Sequence, residues 1–92
     1  MNCDGVMILC CAAARKRHPT CDAGGEIVRA SDYEGGDRPY LSGEDVRGWI
    51  AWVSVTSGTG RSVARHEAHG MTKGWASGAL ARAMGVEIPD GP

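Results

Sequence analysis

Residues 49–84 constrain the fold more than any other part of the chain, because two structural periods follow one another there. The segment reads WIAWVSVTSGTGRSVARHEAHG and then MTKGWASGALARAM. Trp49, Ile50, Trp52, Val53, Val55 and Thr56 are aromatic or β-branched and suit a pleated, half-buried strand. Ser57-Gly58-Thr59-Gly60 is a turn signal, with Gly58 expected to supply the positive φ of a tight hairpin. A turn centred between Gly58 and Thr59 sets Thr56 opposite Arg61, Val53 opposite Ala64 and Trp52 opposite Arg65.

Side chains alternate along a strand, so each face follows from the register. Trp49, Ala51, Val53, Val55, Ser62, Ala64, His66 and Ala68 form a small, apolar face, expected to be core. Ile50, Trp52, Ser54, Thr56, Arg61, Val63, Arg65 and Glu67 mix apolar bulk with charge, so that face is expected to meet solvent or a partner.

After the hairpin the period becomes helical. Trp75, Ala79, Leu80, Ala83 and Met84 form one stripe, with Lys73, Ser77 and Arg82 off it. Thr72 is the expected N-cap and Gly85 the stop. Gly74 and Gly78 each weaken the helix by up to about 1 kcal/mol. Packing is expected to seat Trp75, Leu80 and Met84 on the core face of the hairpin.

Upstream, residues 5–11 (GVMILCC) form a continuous apolar run, expected to be a buried strand; a helix running on through AAARKR is the alternative. Residues 26–31 (EIVRAS) make a short edge strand. Residues 32–45 are irregular and acidic, carrying Asp32, Glu34, Asp37, Glu44 and Asp45, and residues 89–92 form a frayed tail. The expected fold is a single α+β domain: a small antiparallel sheet of three to four strands with one C-terminal helix packed on one face. Ninety-two residues leave little room for a second domain.

A net charge of −1 gives no bulk electrostatic support for nucleic-acid binding. A local basic patch of Arg15, Lys16, Arg17 and Lys73 is the alternative, with Arg61 and Arg65 as further bases. The four cysteines are expected to be reduced and the protein cytoplasmic, since the basic cluster follows the apolar run at 6–14, the reverse of a signal peptide. No run reaches the length of a membrane span.

Cys11, His18, Cys21 and His66, with His69 nearby, are the residues a zinc ion would use. Their spacing is not that of a standard finger, and a strand turns His66 and His69 to opposite faces. No bound cofactor is therefore expected. His66-Glu67-Ala68-His69 falls one residue short of H-E-x-x-H, and neither a phosphate-cradling glycine loop nor a G-x-S-x-G is present.

Roughly the last forty residues, in strand–strand–helix order, resemble the last part of double-stranded-RNA-binding domains and of the small three-stranded DNA-binding domains of integrases. In the RNA-binding family the helix opens with a lysine cluster. Here Thr72-Lys73 offers one base only in place of that cluster.

The function expected from these features is non-enzymatic protein binding by a stoichiometric inhibitor or adaptor. Phages and mobile elements encode proteins of this build against host defence complexes. The expected contact residues are Ile50, Trp52, Arg61 and Arg65, with Asp32, Glu34 and Asp37 meeting a basic region of the partner. A nucleic-acid-binding domain and a small structural zinc protein are the alternatives.

Overall fold

The apolar run at 5–11 forms a helix, not a buried strand. In the computed structural model, which describes residues 2–33 and 47–88, α1 spans Cys3–Arg17. Both of its ends carry helix chemistry. Asn2 is the N-cap, its Oδ1 accepting from the Gly5 N–H at 2.8 Å. Asp4 lies in the first turn and Arg15, Lys16 and Arg17 in the last, each sign placed favourably for the macrodipole. Val6, Met7, Cys10, Cys11 and Ala14 are buried, a helical spacing, while Ile8 is exposed.

Three strands follow: β1 (Asp22–Arg29), β2 (Trp49–Thr56) and β3 (Ser62–Gly70). A single 3-10 turn, Ala30–Asp32, follows β1. The sheet is an antiparallel meander in the order β1-β2-β3. The C-terminal helix α2 spans Lys73–Ala83. The fold is thus α+β, with a second, N-terminal helix beyond the one expected. The acidic stretch from residue 34, with Glu34 and Asp37, and the tail at 89–92 lie outside the described residues. Among the described residues, no helix is long and apolar enough to cross a membrane.

The hairpin has the expected faces but a register shifted by two. Val53 lies opposite His66 rather than Ala64, and Trp52 opposite Glu67 rather than Arg65. Two local features cause the shift. The turn closes with Gly60 N–H donating to Ser57 O and Ser57 N–H to Arg61 O, each at 2.9 Å, and Gly60 rather than Gly58 takes positive φ, at 84°. A bulge then makes Val63 an extra residue, since Thr56 pairs Ser62 while Val55 pairs Ala64. From Ala64 onward turn and bulge move the pairing by two, so those side chains keep their faces, while Ser62, opposite Thr56, lies on the outer face rather than on the core face expected.

Both helices pack on one face of the sheet, α1 over β1 and β2, α2 over β2 and β3, and they touch each other. The core joins Val6, Met7, Cys10 and Ala14 of α1 to Ala51, Val53 and Val55 of β2 and to Ala76, Leu80 and Ala81 of α2. Thr72 caps α2 as expected, its Oγ1 accepting from Trp75 N–H at 3.1 Å, and Gly85 follows the helix with φ 69°. The buried stripe is Ala76, Ser77, Leu80, Ala81 and Met84. Trp75 is not part of it and is 71% exposed. The helix sits so close to β3 that a Cβ on Gly70 would lie 2.3 Å from Ala76 N. At that distance only small residues fit between helix and strand, and the indole points outward.

The other sheet face carries a small second core. Ala30, Tyr33 and Ile50 are buried together, with Val28 and Trp52 packed against them. Ile50 is 0% exposed, so the segment after β1 covers it and it does not belong to a contact surface.

Candidate interaction surfaces

Four residues meet on the outer sheet face. Arg65 Cζ lies 4.6 Å from the Trp52 ring centroid and 5.6 Å from that of Tyr33. The Trp52–Arg65 contact exists although the two are diagonal rather than opposite. The guanidinium donates to the Tyr33 hydroxyl from Nη2 at 3.0 Å and from Nε at 3.2 Å, and Nε lies 3.5 Å from Glu67 Oε2. Tyr33 in turn donates its hydroxyl proton to Glu67 Oε2. Burial raises the Glu67 carboxyl above its ordinary value, because the charged form loses water. The cluster spends its polar groups on one another.

Beside it runs a shallow groove lined by Asp22, Gly24, Trp52, Ser54, Thr56 and Arg65. The groove is open at Gly24, where a Cβ would meet nothing within 4 Å. Arg61 is exposed at the hairpin end and Asp32 on the 3-10 turn.

The basic residues do not form one patch. Arg15 Nη2 donates to the Ala23 carbonyl at 2.9 Å, and Arg17 Nη2 donates to the Met84 carbonyl. Two of the three bases in the run therefore hold backbone oxygens, and Lys16 is exposed. Lys73 opens α2 while Arg17 touches the other end of that helix, roughly 16 Å away at 1.5 Å per residue. Lys73 Nζ instead sits 4.8 Å from the Trp49 ring centroid, as does Arg29 Cζ. Sequence reasoning missed this cluster, because it depended on knowing that Arg29 lies opposite Trp49.

It also missed the outward surface of α2. Trp75 and Met71 are 71% and 60% exposed. Thr72, Gly74, Gly78, Ala79 and Arg82 line a groove with Trp75. The sequence signal was present: positions 76, 77, 80, 81 and 84 make a continuous small-to-medium stripe that leaves Trp75 off it. The size of the indole outweighed that pattern.

Among the described residues, no three His, Cys, Asp or Glu side chains come together in a way that would hold a metal ion, so Cys11, His18, Cys21 and His66 are not gathered into one site. His66 and His69 project from opposite faces of β3, and His69 Nε2 lies 2.6 Å from the Arg47 carbonyl oxygen. All four cysteines are free thiols. Burial, and then neighbouring Cys11, push the Cys10 thiol up to about 11. Burial also raises Cys11, against a smaller opposing effect of Arg15. Both thiols are held in the unreactive neutral form. No family model, curated protein or solved structure matches the chain.

Proposed function

We propose that this protein is a stoichiometric protein-binding module, an inhibitor or adaptor acting without catalysis, and that the outward surface of α2 is its principal contact. The exposed Trp75 carries this reading. An indole can bury roughly 150–250 Å² of surface, the largest single contribution this chain has to offer a partner. Trp, Met and Arg are the types enriched in interface cores, and Trp75, Met71 and Arg82 supply all three around α2. Lys73 and Arg82 rim the apolar centre, so the matching partner surface is apolar with acidic groups around it. Trp52, Arg65 and Arg61 on the outer sheet face are the secondary contacts. No cofactor is required. Four free cysteines, two of them buried, support a reducing compartment such as the cytoplasm.

The test is affinity capture from the native host with the unmodified chain and with Trp75→Ala, followed by titration of the captured partner. Trp75→Ala is expected to keep its circular dichroism and to weaken binding by about 2 kcal/mol, roughly thirtyfold. Equal affinity for both would overturn the assignment of the contact to α2. Nucleic-acid binding is the second reading, favoured by the two cations stacked on Trp49. It requires an affinity for oligonucleotides that falls steeply with salt.

A further inference from the structure

β3 is the last strand of the sheet, and among the described residues no strand pairs with its outer edge. Such an edge presents a row of backbone donors and acceptors. Its side chains decide what can lie beside it. Arg65 and Glu67 project on the outer face, with His66 and Ala68 on the inner.

We propose that two copies of this chain join antiparallel through their β3 strands, about a twofold axis at His66, into one six-stranded sheet. In that register Arg65 of each copy lies opposite Glu67 of the other, so two opposite-charge pairs across the seam add to the Arg65–Glu67 pair that each copy already holds on that face. Ala64 meets Ala68, and the bulge at Val63 ends the regular register beyond them. Directly opposed side chains in an antiparallel pair have Cβ atoms about 5 Å apart, within reach of these contacts.

Neighbouring registers are worse. A slip by one residue opposes side chains that point to different faces. Centring on Arg65 sets Arg against Arg, and centring on Glu67 sets Glu against Glu; like charges directly opposite destabilise. The other edge, β1, has no equivalent. Centring it on Glu26 opposes two glutamates, centring on Gly24 opposes Asp22 to Glu26, and centring on Gly25 pairs no opposite charges. Charge complementarity therefore selects β3, and selects a second copy as its occupant.

The test is sedimentation velocity over a concentration series. The unmodified chain is expected to dimerise. Arg65→Glu and Glu67→Arg alone should each raise the dissociation constant about tenfold or more, and the double reversal should restore dimerisation to within about threefold. A chain that stays monomeric, or a folded double variant that stays as weak as the single ones, overturns the proposal. If the reversed variants do not fold, His66→Cys decides. Mild oxidation should link two chains through position 66, as mapped on peptides, while Ala64→Cys, which faces Ala68, should not link to itself. Absence of the 66–66 link, or an equal 64–64 link, also overturns it. The inference does not depend on the Trp75 reading, since the outward surface of α2 plays no part in the pairing.

Discussion

Glu67 illustrates how one side chain can join two surfaces. It accepts from Tyr33, pairs with Arg65 and lies opposite Trp52. Its carboxyl is raised from an ordinary 4.5 by burial. Between 4.5 and that raised value, the folded state binds more protons at this site than the unfolded state does. This group's contribution to stability is therefore fully present below 4.5 and is lost as pH rises through the folded value. Glu67→Gln has no such titration. Urea denaturation from about pH 4 to pH 7 is expected to show the unmodified chain losing stability relative to Glu67→Gln as pH rises. A difference that stays constant across the range would show that the carboxyl is as well solvated folded as unfolded.

Among the elements, the hairpin was the most legible. Alternation alone divided Trp49, Ala51, Val53 and Val55 from Ile50, Trp52 and Ser54, and the sheet keeps that division. The register was not legible, because Gly58 and Gly60 are equivalent turn signals until the bulge at Val63 is known. Trp52 and Arg65 still met, since a shift of two leaves long side chains within diagonal reach. The first helix was misread because an apolar run fits either period; Asn2, Asp4 and the basic last turn were the discriminating signals. Of the candidate site, Trp52 and Arg65 were legible. Buried Ile50 and outward Trp75 were not, since both depend on what packs above them. The close approach of α2 to β3 gives an element-scale test. Gly70→Ala would place a Cβ within 2.8 Å of backbone atoms of Trp75 and Ala76, none of them free to rotate away. Overpacking of this kind costs about 1–3 kcal/mol, so Tm is expected to fall by roughly 4 °C or more. An unchanged Tm by calorimetry would mean that the helix can lift off the strand freely.

For the whole molecule, the longest connection is between the two helices. Arg17 reaches the Met84 carbonyl across 67 residues of chain, whereas β2 and β3 are joined by a tight turn. Contacts of such separation carry the largest loop-closure entropy and tend to form late. Arg17→Ala, removing about 1 kcal/mol, is expected to speed unfolding by roughly fivefold and leave the refolding rate nearly unchanged in stopped-flow measurements. A matching drop in the refolding rate would place the docking of α1 before the barrier. The same separation bears on synthesis. A ribosome adds about 5–20 residues per second, so the interval between making Arg17 and making Met84, 67 residues later, is roughly 3–13 seconds. Through that interval the apolar stripe of α1, with Cys10 and Cys11 in it, has no second helix to close over it. In the nascent chain those two thiols have at most the cover of β1 and β2, and the arrival of α2 completes the core around them.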